Sequence, residues 1–121
     1  MLDFGCGGGI AGVAAAHAGA KAVLAVDIDA IATAATAFNA DENGLDNLLV
    51  ETADLVGEPL DGVEIILAGD ICYTEAMAGE IVPWLRGLAA EKTIYPGDPG
   101  RTYRPDDGLE LISAHLIPGT L

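Results

Sequence analysis

Four glycines and an aspartate follow the first apolar residues of the chain. The stretch from Asp3 to Gly9 reads D-F-G-C-G-G-G and leads from a short strand-like run into an alanine-rich run. Glycine at this density permits a tight turn and lets a ligand touch the main chain. A second carboxylate, Asp27, ends the next apolar run, where it can accept hydrogen bonds from both hydroxyls of a ribose. These two features together predict a ligand that carries a ribose.

The same glycines also fit a second pattern. Gly7, Gly9 and Gly12 satisfy G-x-G-x-x-G, and Asp27 follows Gly7 at the interval that is typical of nicotinamide-type cofactors. In that motif the first glycine normally comes at the end of the strand, whereas Gly5 already stands there. A third interpretation is structural, with the glycines needed only where the helix packs on the strand. The residues alone therefore leave an oxidoreductase domain open as an alternative.

Further polar residues follow the other apolar runs, at Asp54, at Asp70 to Tyr73 and at Gly97 to Arg101. Cys72 lies in the second of these segments, but no base that would activate it is evident in the sequence, so we expect it to fill space in the core. Cys6 and Cys72 form neither a metal-ligand spacing nor a disulfide framework. No metal site is predicted, and reduced thiols are typical of a cytoplasmic protein.

Strand-like and helix-like runs alternate along the chain. Five strands are predicted. The first ends at Phe4, and the other four cover residues 21–27, 47–52, 63–70 and 93–95. The predicted helices are Ile10 to Ala18, one capped by Asp29 and ended by Gly44, one capped by Thr74, and a last one from Gly108 to His115. This alternation indicates right-handed crossovers and a mostly parallel sheet with helices on both faces, a Rossmann-like, doubly wound α/β fold. Ligands on such sheets bind beyond the carboxyl ends of the strands, where the strand order reverses.

Helical spacing also predicts which side chains of the second and third helices face the core. On the second helix these are Ile31, Ala35 and Phe38. On the third they are Ile81, Trp84, Leu85 and Leu88. Pro83 stands inside the third helix and should kink or divide it.

The charge balance narrows the range of partners. Five Lys and Arg residues face 19 Asp and Glu residues, a formal net charge of −14 in 121 residues. Such a field repels phosphate backbones and attracts basic protein surfaces or cationic small molecules, so we expect no nucleic-acid partner. No apolar run approaches the roughly 18 residues that span a membrane. The length fits one domain, residues 1–121.

Four segments, "LDFGCGGG", "AVDID", "ETADL" and "LAGDICY", resemble in order the successive motifs of class I S-adenosylmethionine-dependent methyltransferases. Within that superfamily, "GDICY", "PWLR" and "GDPGR" are most similar to the electron-transfer-flavoprotein β-subunit lysine methyltransferase family. The resemblance implies S-adenosyl-L-methionine as the cofactor and N-methylation of a protein lysine as the reaction. The implied acceptor is a protein, such as the electron-transfer flavoprotein β subunit, or a basic small molecule.

The resemblance also assigns roles to individual residues. Three glycines would pass beneath the methionine part of the cofactor, with a carboxylate helping to position it, and two further carboxylates would hold the ribose and the adenine. In chain order the implied cofactor-binding residues are Asp3, Gly5, Gly7, Gly9, Asp27 and Asp54. Asp70 and Tyr73 are the implied catalytic residues, because a carboxylate and a phenol beside the methyl group can orient an attacking amine.

Members of the resembled family are longer at both ends. We therefore expect the domain to be a fragment that lacks an N-terminal segment and the two strands of a C-terminal hairpin. The fifth strand, Thr93 to Tyr95, would then be an uncovered edge at which two copies of the chain can associate. A non-catalytic remnant that still binds the cofactor is a further alternative.

Overall fold

The computed structural model describes residues 1–116 and 118. Its five strands are β1 (Leu2–Phe4), β2 (Val23–Asp27), β3 (Leu48–Thr52), β4 (Ile65–Gly69) and β5 (Thr93–Gly97). Its three helices are α1 (Ile10–His17), α2 (Ala30–Glu42) and α3 (Glu75–Leu88). The strands form one sheet in the order β3-β2-β1-β4-β5, and every neighbouring pair is parallel. The predicted α/β architecture is confirmed, and the strand order reverses at β1.

Helices cover both faces of the sheet. Val23 and Ala25 of β2 pack in a cluster with residues of α1 and α2, whereas Val26 belongs to a second cluster with Ile81 and Leu85 of α3. Successive side chains of a strand point to opposite faces, so β2 is buried on both sides. This explains why its sequence is a continuous apolar run rather than an alternating one.

The prediction for the inward face of α2 is wrong. Ile31 is 80% exposed and Phe38 is 64% exposed, while Thr33 and Thr36 are buried. Helix α2 packs close to the glycine loop, where a small side chain with a hydroxyl group fits and a large apolar one does not. The hydroxyl groups of both threonines are hydrogen-bonded, so their burial leaves no polar group unsatisfied.

Helix α3 buries the predicted face. Ile81 and Leu85 are buried, and Trp84 packs on the core with its ring 5.1 Å from that of Phe4. The Thr74 side chain caps the helix by accepting the N–H of Met77 at 3.1 Å. Pro83 does not divide the helix, which continues to Leu88.

The chain after β5 forms no helix between Gly108 and His115, contrary to the prediction. Leu111 and Ile112 in this segment are exposed. A helix this short depends on packing for its stability, and an apolar residue that contacts no core does not provide it. Strand β5 lies at an edge of the sheet, as predicted. Across residues 1–116 and 118, none of the helices has the length and apolar character that crossing a membrane requires.

Candidate functional site

The glycine loop, residues Gly5 to Gly9, connects the carboxyl end of β1 to α1. Gly5, Gly7 and Gly9 have φ angles of 63°, 54° and 85°, which other residues rarely adopt. A β-carbon at Gly7 would have no heavy atom within 4 Å, whereas one at Gly9 would lie 2.6 Å from Thr36. The loop therefore has an open side at Gly7 and a closed side, against α2, at Gly9.

Two side chains of helix α2 donate hydrogen bonds to carbonyl groups of the glycine loop. The Thr36 hydroxyl donates to the carbonyl of Gly7 at 2.8 Å, and the Asn39 side-chain amide donates to that of Gly8 at 2.7 Å. The buried Cys6 thiol lies 3.4 Å from the same Thr36 oxygen. Thr36 and Asn39 were not among the predicted site residues, and their only signal in the sequence is a polar pair at helical spacing.

Asp3 lies behind the loop rather than on its open side. It is 2% exposed, and its Oδ2 accepts the backbone N–H of Gly12 at 2.8 Å. Burial raises the pKa of the Asp3 carboxyl and the nearby Asp27 charge raises it further, while the Gly12 hydrogen bond opposes both. Asp3 therefore ties the first turn of α1 to the central strand.

Asp27 connects β2 to the glycine loop. Its Oδ2 accepts the N–H of Gly7, and its Oδ1 accepts the N–H of Asp29, both at 3.0 Å. A carboxylate oxygen has two lone pairs, so each oxygen can still accept one more hydrogen bond. Asp29 caps α2 through the N–H of Ile31 at 2.9 Å, which confirms its predicted role as a helix cap.

Asp54 lies in the loop that follows β3. Its carboxylate is exposed and accepts the N–H of Val56 at 3.1 Å, which closes a small turn. The backbone of this loop is tied to β2, because the N–H of Ala53 donates to the carbonyl of Asp27 at 3.0 Å. The structure thus places Asp54 and Asp27 at the carboxyl ends of two neighbouring strands, β3 and β2. Asp3 instead lies on the central strand, β1, and Gly7 lies in the loop that follows it.

Asp70 and Tyr73 follow β4, the neighbour of β1 on its other side. Asp70 has a φ of 51° and donates its N–H to the carbonyl of Gly97 at 2.7 Å. The Arg101 guanidinium donates two hydrogen bonds to the Asp70 carboxylate, from Nε to Oδ1 at 2.9 Å and from Nη2 to Oδ2 at 2.8 Å. This hydrogen-bonded pair lowers the pKa of the Asp70 carboxyl. The guanidinium carbon also lies 5.9 Å from the centre of the Tyr73 ring, a cation–π arrangement.

Arg101 was predicted only as a residue that follows a strand, with no partner. Asp70 and Arg101 are 31 residues apart, and no local spacing pattern connects them. The predicted core role of Cys72 agrees with its burial, which raises the pKa of the thiol and favours the non-nucleophilic form.

A parallel sheet whose strand order reverses at a glycine loop, with a carboxylate at the end of the next strand, is the Rossmann-like arrangement that solved S-adenosylmethionine-dependent methyltransferase structures share with this chain. One structure with this fold is ribosomal protein L11 methylase from Lactobacillus delbrueckii subsp. bulgaricus. The two structures match with a TM-score of 0.59 and 29% identity, covering 76% of this chain and 45% of that chain. Residues 1–81 match the family model described as ribosomal protein L11 methyltransferase (PrmA). The chain belongs to this family.

Two curated relatives extend the comparison. The electron transfer flavoprotein beta subunit lysine methyltransferase of Danio rerio is 39% identical over 111 residues, covering 90% of this chain and 43% of that protein. The ribosomal protein L11 methyltransferase of Dechloromonas aromatica (strain RCB) is 44% identical over 100 residues, covering 76% of this chain and 33% of that protein. The chain thus spans less than half the length of each. The predicted resemblance is confirmed, and the nicotinamide alternative is not favoured.

The cofactor of this fold family is S-adenosylmethionine, and the open side of the loop fits it. The missing β-carbon of Gly7 leaves room for a ligand to touch the backbone. Asp27, bonded to that same residue, keeps accepting capacity on both carboxylate oxygens. An open backbone surface beside a free acceptor is what a ligand with an extended chain and a ribose requires.

Proposed function

We propose that the chain binds S-adenosylmethionine on the open side of the glycine loop and contributes to N-methylation of a lysine side chain in a protein. The observation that carries this proposal is the hydrogen bond from Gly7 to Asp27, which sets an acceptor carboxylate beside the uncovered backbone of Gly7. The lysine specificity is supported by the name of the Danio rerio relative.

In this proposal the glycine loop and the carboxylates of Asp3, Asp27 and Asp54 have separate roles in binding the cofactor. Gly5 and Gly7 contact the methionine part, and Gly9 fixes the loop against α2. Asp27 accepts from the ribose hydroxyls, and Asp54 accepts from the amino group of adenine. Asp3 acts indirectly, since its carboxylate positions the loop and α1 through Gly12.

Asp70 and Tyr73 are the proposed acceptor-side residues. Their segment follows β4, and the glycine loop follows β1. These two strands are adjacent and parallel, so both segments lie at the carboxyl ends of the strands. S-adenosylmethionine supplies an activated methyl group when bound. The chain must then align a neutral lysine amine for in-line attack, and a carboxylate such as Asp70 can compensate the positive charge that develops on its nitrogen.

A carboxylate near the amine also favours the protonated ammonium form, which cannot attack. The net charge of −14 adds to this effect and raises the lysine pKa further. We therefore expect acceptor lysine to lose its proton to solvent or to a group of the substrate protein before transfer.

Calorimetry on residues 1–121 with S-adenosylhomocysteine and, separately, with NAD tests the cofactor. We expect binding of the first and none of the second, and the opposite result would overturn the proposal in favour of an oxidoreductase domain. Incubation with radiolabelled S-adenosylmethionine then tests transfer to purified electron transfer flavoprotein beta subunit and to ribosomal protein L11. Label that mass spectrometry locates on lysine supports the reaction, whereas cofactor binding without transfer indicates a binding module.

A further inference from the structure

A carboxylate and an aromatic ring after β4 form a small site for a cation, and an arginine of the same chain fills it. Asp70 supplies the carboxylate, and Tyr73, a residue that is 54% exposed, supplies the ring. Arg101 satisfies both of them at once, with two hydrogen bonds to Asp70 and its guanidinium 5.9 Å from the ring centre.

We propose that Asp70 and Tyr73 recognise one cationic side chain, and that Arg101 is an internal occupant which the ammonium group of the methyl acceptor displaces. The inference rests on the proposed function in taking lysine as the acceptor. The exchange is non-covalent: one cation leaves the carboxylate as another arrives, and no bond is made or broken.

The backbone of this site does not depend on Arg101. Asp70 is fixed by its own backbone, whose N–H donates to the carbonyl of Gly97 at 2.7 Å. Tyr73 directly precedes Thr74, the cap of α3, so its backbone is anchored by that helix. Neither anchor involves the guanidinium.

Arg101 is also free to leave. The side chains of Arg101 and Asp70 are 45% and 43% exposed, and ion pairs at such exposure contribute little to stability. The turn that presents Arg101 is closed within its own segment, because Asp98 accepts the N–H groups of Gly100 and Arg101, both at 2.7 Å. A rotation of the long arginine side chain into solvent therefore disrupts neither the turn nor the sheet.

The charges at this position stabilise a cation of either kind, guanidinium or ammonium. The hydrogen bonds and the charge of Asp70, with a smaller contribution from the charge of Asp98, raise the pKa of the Arg101 guanidinium, so this position stabilises a cation. With Arg101 in place the Asp70 carboxylate is neutralised; with Arg101 withdrawn it presents an uncompensated negative charge beside an aromatic face. An incoming ammonium group meets the same two partners that the guanidinium has left.

The test compares Arg101→Gln with Arg104→Gln, which removes the same charge from the same segment but from a residue outside the site. The probe is lysine with acetyl and methylamide caps, titrated without cofactor and followed by the carboxyl carbon resonance of Asp70. We expect Arg101→Gln to bind the probe about two- to fivefold more tightly than Arg104→Gln, the ratio that corresponds to loss of an exposed ion-pair competitor. Equal or weaker binding by Arg101→Gln would overturn the proposal, because Arg101 would then be a positioning residue for Asp70.

A second measurement on the wild-type chain covers the case in which Arg101→Gln folds poorly. The Arg101 Nε–H donates to Asp70, so its nitrogen resonance should move towards that of a free arginine as the probe saturates. The same titration of Asp70→Asn should show no such movement. An Arg101 nitrogen resonance whose chemical shift does not change as the probe is added would also overturn the proposal. Since no cofactor is present, failure here leaves S-adenosylmethionine binding intact, and failure of cofactor binding leaves this exchange intact.

Discussion

The Asp3 carboxylate lies 2.8 Å from the backbone nitrogen of Gly12 and would lie equally close to a β-carbon at that position. The third glycine of the G-x-G-x-x-G pattern is therefore explained by an acceptor inside the protein. Gly12 lets α1 approach the central strand closely enough for one carboxylate oxygen to take its N–H. The coincidence with a nicotinamide motif follows from this packing.

Asp3 and Asp70 have pKa values shifted in opposite directions, so their contributions to the free energy of unfolding should change with pH in opposite directions. Burial raises the pKa of Asp3 above 3.8, so the folded state binds its proton before the unfolded state as the pH falls. Relative to Asp3→Asn, the wild-type chain should gain stability as the pH decreases through the folded-state pKa towards about 4. Urea unfolding of both chains between about pH 7 and about pH 3 measures this difference.

Asp70 provides the matched comparison for that experiment. Its pairing with Arg101 lowers its pKa below 3.8, so its favourable contribution is present above that value and is lost as the pH falls through the folded-state pKa. Relative to Asp70→Asn, the wild-type chain should lose stability over that lower range, and only slightly, because the pair is exposed. A trend of the same sign for both variants would contradict one of the two assignments, and its direction would show which.

Gly7→Ala should separate backbone strain from loss of ligand binding. Gly7 and Gly44 have φ angles of 54° and 63°, and a β-carbon at either position meets nothing within 4 Å. Alanine should therefore destabilise both positions similarly, by about 1–2 kcal/mol. Only Gly7→Ala should weaken S-adenosylhomocysteine binding by about tenfold or more, as measured by calorimetry. Equal retention of binding in both variants would mean that Gly7 serves only the positive φ of the loop backbone.

Asp27→Asn should weaken S-adenosylhomocysteine binding by about 1.5–3 kcal/mol, because a charge-assisted acceptor is lost. Part of this effect acts through Gly7, whose N–H is bonded to the same carboxylate. Asp29→Ala is the control: removing this helix cap should lower the free energy of unfolding by about 1 kcal/mol. Its affinity for the ligand should stay within about twofold of wild type. A larger loss of affinity in Asp29→Ala would mean that the cap, rather than Asp27, positions the ligand.

Strand β5 should allow self-association that increases with salt. It lies at the sheet edge with half-exposed Tyr95 on it, and an uncovered strand edge can pair with a second chain. The net charge of −14 opposes this, but about 0.15 M salt screens charges beyond about 8 Å. We expect dimers in sedimentation velocity at higher salt, and Tyr95→Lys should return the chain to monomer. A wild-type monomer at every salt concentration would exclude the edge as an interface.

Local patterns predicted most of the fold. The strands, the caps Asp29 and Thr74 and the positive φ of the glycine loop all depend on residues near one another in sequence. The inward face of α2 was mispredicted because proximity to the loop, a tertiary feature, selects Thr36 over larger apolar residues. The ion pair of Asp70 with Arg101 was missed for the same reason, since only the parallel pairing of β4 with β5 brings the two segments together.

The hydrogen bonds from Thr36 and Asn39 to the glycine loop have a kinetic consequence. Fixing the backbone of one residue costs about 1–2 kcal/mol of conformational entropy, and in this loop α2 has imposed that order during folding. We therefore expect a ligand to dock onto a loop that is already ordered, without a coupled folding step. Its association rate should be limited by diffusional encounter, and differences in affinity among loop variants should appear as differences in residence time.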